Sequence, residues 1–309
     1  PICFGVTIDL YNKNTSDLLY YAPLPNISGY TGQYKNVGAI NNKGLEISLN
    51  ADVIRTSKFQ WTSDFNIGFN RNRVTELYGG KPELKGLKRL EEGRDMDEWY
   101  LREWAGVDPA NGSPLWYTTD ENGKRTTTDS YNKADRVYCG SAAPKFTGGW
   151  MNSFSYKGFT LTANFDFVYG NLLYNQSREL LDSDGAYADY NSMKLKSGWK
   201  RWEKEGDIAT HPKAINGGNK NSNKSSSRYL EKGNYFSLRN LSLGYSIPEK
   251  LCGKLGLQRV NVSCSADNLF TLTPFSGVSP QLSDSSTDGY AGTIYPLSRR
   301  IVFGLNVSF

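Results

Sequence analysis

"GFTLTANFDFVYG", residues 158–170, alternates from Phe159 through Phe167. Phe159, Leu161, Ala163, Phe165, Phe167 and Tyr169 hold the odd positions, and Thr160, Thr162, Asn164 and Asp166 the even ones. Side chains along a strand point to opposite faces with a period of two, so this stretch reads as a strand with one apolar and one polar face. Its length is near the ~9–11 residues with which a tilted strand crosses a bilayer. The pattern recurs along the chain. In "KGLEISLNADV" (43–53), Leu45, Ile47, Leu49, Ala51 and Val53 alternate with Glu46, Ser48, Asn50 and Asp52. In "KFQWTSDFNIGFN" (58–70), Phe59, Trp61, Phe65, Ile67 and Phe69 alternate with Gln60, Thr62, Asp64, Asn66 and Asn70. "QRVNVSCSADN" (258–268) and the terminal "RIVFGLNVSF" (300–309) behave alike. One strand changes phase: Phe236 and Leu238 are even, whereas Leu241, Leu243, Tyr245 and Ile247 are odd. A bulge near Arg239–Asn240 restores the facing.

The composition suits strands and turns more than helices: Tyr 20, Phe 14 and Gly 31 in 309 residues, with 38% hydrophobic. The formal charge of +5 is mild, and no basic run of the kind that tracks a phosphate backbone is present, so no nucleic-acid partner is expected. Cys3, Cys139, Cys252 and Cys264 form no C-x-x-C pair, which argues against zinc and redox sites and for free thiols. No segment approaches the ~20 apolar residues of a membrane helix, a criterion blind to barrel strands.

Short connections at Ile54–Ser57, Val107–Gly112, Lys157–Gly158 and Pro248–Gly256 alternate with long polar ones at Pro23–Asn36, Gly79–Glu98, Asp120–Ala143, Asn175–Gly233 and Thr273–Leu297. The expected fold class is therefore all-β: an antiparallel up-and-down transmembrane β-barrel with long extracellular loops and short periplasmic turns, residues 1–309 supplying about ten strands of a larger barrel. The chain opens at Pro1 already in a strand-like run, "PICFGVTIDLY", and we expect it to be the C-terminal portion of a longer protein. Within the longest loop, "YADYNSMKLKSGWKRWEKEG" is expected to form a helix, and "NGGNKNSNKSSSR" has the composition of a flexible linker.

Two other architectures alternate in this way. A soluble sandwich has mainly aliphatic inner faces and loops of similar length at both ends. A propeller shows a repeat of ~40–50 residues, and none is found. A barrel predicts polar lumen positions, lopsided loops and aromatics at strand ends. Here Trp61, Tyr156 and Phe159 lie toward the short turns, and Phe69, Tyr169, Tyr174, Tyr235 and Phe270 toward the long loops.

Several stretches, in order, resemble the C-terminal region of SusC/RagA-type TonB-dependent outer-membrane transporters. They are "NVGAINNKGLEISLNADV" (36–53), "WTSDFNIGFNRNRVTEL" (61–77), "WAGVDPANGSPLWY" (104–117), "PKFTGGWMNSFSYKGFTLTANFDFVYG" (144–170), "YFSLRNLSLGYSIPEKL" (235–251) and "VNVSCSADNLFTLTPFSGVSPQ" (260–281). The terminal Phe309 resembles the C-terminal assembly signal of outer-membrane barrels. The resemblance implies a barrel of ~22 strands with a plugged lumen. It implies uptake of oligosaccharides, other glycans or peptides across the outer membrane of a Gram-negative bacterium. The implied partners are a SusD-like surface lipoprotein that lids the barrel and the TonB–ExbB–ExbD complex, with outer-membrane lipid around it. Plug, TonB-contacting segment and N-terminal domain are expected to lie outside 1–309. A passive porin or surface adhesin, and a soluble sugar-binding β-sandwich, are the alternatives.

No enzyme, cofactor or metal is expected. A Ser-His-Asp triad would depend on the single histidine, His211, which reads as a solvated loop residue. Glu91, Glu92, Asp95, Asp97 and Glu98 resemble a glycosidase carboxylate pair only loosely and read as a solvated charged loop. Solute recognition falls to aromatics in the outer loops: Tyr187, Tyr190, Trp199, Trp202, Tyr290 and Tyr295 serve either as sugar platforms or as packing within the loops and against the lid. Asp64, Asn66, Asn164 and Asp166 face the lumen, and either line the solute path or hydrogen-bond the plug.

Overall fold

The alternating stretches pair into one antiparallel sheet. The computed structural model describes residues 3–187, 189–254, 256–282, 289–292 and 294–309. Its sheet strands are β1 (Cys3–Thr15), β2 (Ala39–Arg55), β3 (Phe59–Glu76), β4 (Phe146–Tyr156), β5 (Phe159–Tyr169), β6 (Tyr235–Ser246), β7 (Arg259–Leu272) and β8 (Arg300–Ser308). They lie side by side in chain order, each bonded to the strands before and after it. β1 and β8 are the two edges, so the sheet does not close on itself. Pro1 and Ile2, part of the expected first strand, lie outside the described residues.

Register lines up apolar residues in continuous rows across the sheet. One row runs Val6, Leu49, Phe65, Trp150, Phe165, Leu238 and Phe270 across seven strands. A second runs Trp61, Phe154, Leu161, Leu243, Cys264 and Phe303. Ring pairs such as Trp61–Phe154 at 5.6 Å and Phe165–Phe236 at 5.2 Å add cross-strand stabilisation. A one-residue slip would turn a whole row over, and this continuity fixes the pairing. Among the described residues no second layer covers the face: Phe4, Phe303 and Leu305 are 76%, 79% and 70% exposed. The sandwich alternative fails on this point, because its apolar face would be buried against a second sheet.

The expected phase change is present. The register of β6 shifts between Leu238 and Asn240 against β7, opposite a shift at Asn164/Phe165 against β5. A further irregularity lies between Asp52 and Ile54, so Ile54 rather than Val53 meets Trp61.

The connections are lopsided as expected, but the strand count is lower. Residues 104–107 and 114–119, read from sequence as two barrel strands flanking Val107–Gly112, belong instead to a small three-stranded sheet with 125–128. The large sheet therefore has eight strands among the described residues, not about ten, and residues 77–145 form one excursion. Four long segments (16–38, 77–145, 170–234 and 273–299) leave one end of the sheet. Three short ones leave the other. At the tightest, Lys157 and Gly158 both have positive φ (45° and 88°), the two-residue turn whose twist suits a hairpin and where glycine is favoured. The connection 247–258 carries a short helix over Glu249–Lys254.

The long loops have structure of their own. Residues 83–85, 88–90, 98–102 and 136–141 form a four-stranded sheet. In the third loop, 172–175 pairs with 230–232 and, in parallel, with 290–291 of the fourth. Its helix is at Gln176–Leu181, not across Trp199 and Trp202. The latter stretch is broken by Gly198, whose φ of +85° lies outside the right-handed helical region. The segment expected to be a flexible linker is held in turns, with Asn219, Ser222, Ser226 and Arg228 buried.

Candidate functional site: the polar face and the loop block

On the face opposite the apolar rows, the register aligns polar residues. One row runs Asn50, Asp64, Met151, Asn164, Asn240, Asp267 and Arg300. The next runs Ser48, Asn66, Gly149, Asp166, Ser237 and Thr271. Asp64, Asn66, Asn164 and Asp166 thus share one face in two adjacent rows. Strand alternation assigned this face, and the pairing brings the four together. Asn50 Nδ2 donates to Asp64 at 2.7 Å, Gly149 N to Asn66 Oδ1 at 3.1 Å, and the Tyr235 hydroxyl to Asp166 at 3.1 Å. Arg300 donates to Asp267 through Nε and Nη2 at 2.9 and 2.7 Å, and Asn240 adds a bond of 2.7 Å. Small amide, hydroxyl and carboxylate groups at such spacing suit weak, reversible hydrogen bonding to a polar solute.

Toward the long loops this face runs into a cleft of about 1270 Å³ between the ends of β1–β3 and the second loop. Tyr11, Asn70, Arg94, Asp95, Glu98 and Ser141 are among its lining. Tyr11 lies across Gly44, where an added Cβ would meet its ring, and donates to Asn70 at 3.1 Å. Met96 N donates to Asn72 at 2.8 Å, and Val74 N bonds Arg94 O at 2.9 Å, folding the loop over the polar face. Burial, opposed by the Arg94 guanidinium and assisted by the Asp95 charge, raises Glu98 above the usual carboxylate range. The acidic run around it is not simply solvated: Lys88 is buried and bonds Asp97 at 2.6 Å, and Ser141 donates to Asp95 at 2.9 Å.

Above the cleft the second, third and fourth loops interlock. Trp99, Leu101, Tyr174 and Tyr229 form a buried cluster drawn from two loops, with Tyr290 of the fourth packed against it. Trp99 Nε1 donates to Leu172 O at 3.0 Å and Ser276 N to Glu231 at 2.7 Å. The third loop closes on an ion network. Asp184 accepts from Arg201 and Ser222, each at 2.7 Å, and from Arg228 at 2.5 and 3.1 Å. Asp182 accepts from Arg178 at 2.8 Å and lies 3.0 Å from His211 Nε2. Burial alone would raise the Asp182 carboxyl; the His211 hydrogen bond and the Arg228 and Arg178 charges outweigh it and bring it down to about 2. Arg228 is fully desolvated, which disfavours its charge, yet the acids around it hold its pKa above the usual arginine value. Three arginines oppose Asp182, Asp184 and Glu231, so the buried charges balance. Breaking a buried pair leaves an uncompensated charge at a cost of about 3–5 kcal/mol, which explains why a loop so polar holds one shape.

His211, expected to be solvated, is 1% exposed and sits in this network against Trp199, ring centroids 4.9 Å apart. Its partner Asp182 lies 29 residues away in the chain, so no local spacing reveals the pair. Asp182, Asp184, Arg178 and Arg228 went unnoticed for the same reason.

The loop aromatics divide. Trp202 is buried and donates to Pro109 O at 3.0 Å, tying the third loop to the second. Trp199 carries the Arg178 guanidinium 4.4 Å from its ring centroid. Tyr290 packs on Trp99 at 5.2 Å, and its hydroxyl accepts from Leu87 N at 3.1 Å. Tyr187 and Tyr190 are exposed and meet edge to face at 5.5 Å, and Tyr295 stands 85% exposed. Phe309 follows the last paired residue of β8 and is exposed. All four cysteines are free, as expected. Among the described residues no group of His, Cys, Asp and Glu could hold a metal ion, and no helix is long and apolar enough to cross a membrane.

No protein-family model matches the chain. Among curated proteins it is 30% identical to the TonB-dependent receptor P39 of Formosa agariphila, across 99% of this chain and 34% of the relative. It is 23% identical to the TonB-dependent receptor SusC of Bacteroides thetaiotaomicron, across 98% of this chain and 30% of that protein. The chain thus spans about a third of the length of the curated relatives it matches. Among solved structures, that of the RagAB peptide transporter superposes with a TM-score of 0.85 at 28% identity, covering 99% of this chain and 33% of its counterpart. The "open-open" state of the RagAB peptide importer gives 0.84 at 27%. These relatives are named as receptors and transporters, not enzymes. With its uncovered apolar face, polar opposite face and one-sided loops, the chain matches, by sequence and by fold, part of the barrel of a SusC/RagA-type TonB-dependent receptor.

Proposed function

We propose that the chain supplies the C-terminal strands of the barrel of a TonB-dependent importer in the outer membrane of a Gram-negative bacterium. The apolar rows meet lipid, and the polar rows line the lumen. The carrying observation is the pairing of these two faces in a single sheet layer: hydrocarbon solvates one side without a second protein layer, and water or solute the other. Asp64, Asn66, Asn164 and Asp166 line the solute path, offering hydrogen bonds that form and break without deep binding. Tyr187, Tyr190 and Tyr295, exposed in the loops, make the first contacts with solute or with a SusD/RagB-like lipoprotein lid. Trp199, Trp202 and Tyr290 act indirectly, by holding the loop block in shape. Transport proceeds by displacement of a plug and closure of the lid, with energy delivered through TonB–ExbB–ExbD and no covalent chemistry. The solute is an oligosaccharide, another glycan or a peptide.

The test uses the whole receptor in its native membrane. Cells expressing it are offered labelled oligosaccharides and peptides, with and without TonB. Uptake of one class, lost without either the receptor or TonB, is expected. Uptake that persists without TonB would make the barrel a passive porin. A receptor that binds surfaces but takes up neither class would make it an adhesin.

A further inference from the structure

Three cations stand together on the outward face, just beyond the apolar rows. In the register of β2 and β3, Lys43 lies directly opposite Arg71, and Arg73 opposite Asn41. All three side chains are exposed. They share the parity of Leu45 and Phe69, the outward pair immediately below them. The step from Phe69 to Arg71 is two residues, roughly 7 Å along a strand. Directly beneath runs an aromatic rim: Phe69 and Phe146 at 5.8 Å, Phe146 and Tyr169 at 5.1 Å. Like charges directly opposite on one face of a sheet are unfavourable. Among the described residues no carboxylate is within ion-pair distance of any of the three. Their outward neighbours on β1 and β2 are amides: Asn41 donates to Asn12 and Asn14.

We infer that Lys43, Arg71 and Arg73 form a binding site for the phosphate of an outer-leaflet glycolipid. This rests on the reading that the apolar face meets lipid. An aromatic rim marks the height of the headgroups, and cations one step beyond it lie among the phosphates. A phosphate between Lys43 and Arg71 offsets their repulsion, and the arginine forks donate to its oxygens in bidentate fashion. The apolar rows below receive the acyl chains, so one ligand satisfies both surfaces. Free inorganic phosphate would satisfy the cations alone, and an acidic segment of a protein partner would leave the adjoining apolar face bare.

The test takes the full-length receptor, solubilised in detergent, and titrates it with monophosphoryl lipid A, reading bound lipid by native mass spectrometry. Wild type is expected to retain the lipid, and K43Q/R71Q/R73Q to bind it at least about tenfold more weakly. The charge-conserving R71K/R73K variant, which keeps the charge but loses the bidentate forks, is expected to bind between wild type and the triple variant. Retention of the heat-resistant gel mobility of a folded barrel by the triple variant excludes misfolding as the cause. Equal binding of dephosphorylated lipid A, competition by inorganic phosphate at similar concentration, or binding unchanged in the triple variant would each overturn the inference. So would loss of lipoprotein association in that variant with lipid binding intact. Failure of the lipid-facing reading is seen separately, as absence of the wild-type receptor from outer-membrane fractions.

Discussion

Asp182 shows how far a single side chain in these loops depends on distant partners. Its carboxyl is buried, which by itself would make ionisation costly. His211, Arg178 and Arg228 reverse that balance, and its pKa falls to about 2 from an ordinary value of 3.8. A carboxyl depressed in the folded state stabilises the fold above its unfolded pKa, and that contribution is lost as pH falls through the folded one. The third loop of the whole receptor is therefore expected to resist pepsin at pH 4 and to become cleavable as the pH is lowered toward 2, with cutting normalised to a denatured reference peptide. Resistance unchanged across that window would show that the network does not hold the loop. None of this was legible at the level of residues in order. Asp182, Asp184, Arg228 and His211 are ordinary polar residues in a polar stretch, and His211 was read as solvated for want of any local clue.

At the scale of the element, strand alternation is a strong signal because both faces of a barrel strand meet something definite. Leu243 and Ser242 are neighbours on β6 whose rows lead to opposite sides: Leu243 sits between Leu161 and Cys264, Ser242 between Thr162 and Ser265. Leu241→Arg, at mid-strand opposite Ala163 and Ala266, is expected to destabilise the barrel by ~2–4 kcal/mol, whereas Ser242→Arg is tolerated. Urea unfolding of the full receptor in lipid vesicles, followed by tryptophan fluorescence, compares them. Equal costs at the two positions would contradict the assignment of faces. The phase change in β6 was legible for the same reason, since a break in a period of two requires an extra residue. The element-level errors arose where periodicity is weak. Short runs such as 104–107 and 114–119 alternate equally well in a loop sheet, and "MKLKSGWKRWEKEG" has helical composition but is interrupted by Gly198.

For the whole molecule, the open edges of β1 and β8 set the energetics. Each edge presents unpaired backbone N–H and C=O groups, and hydrocarbon offers them no partner. The isolated 309-residue segment is expected not to insert stably, and in a liposome flotation assay it should remain at the bottom of the gradient. Stable flotation after alkaline washing would contradict this. The three interlocked loops, by contrast, bury their own apolar cluster and balance their own charges, so they behave as one block over one end of the sheet.

The sequence by itself determined the strands, their two faces, the β6 bulge and the asymmetry of the connections, because alternation and turn chemistry are local and repeat at every strand. Only the tertiary structure decided the count of eight sheet strands among the described residues, the inward fold of the second loop, the burial of His211 and the charge balance around Asp182 and Asp184. Those features depend on residues brought together across tens of positions by strand register and loop packing, and no period along the chain encodes such a meeting.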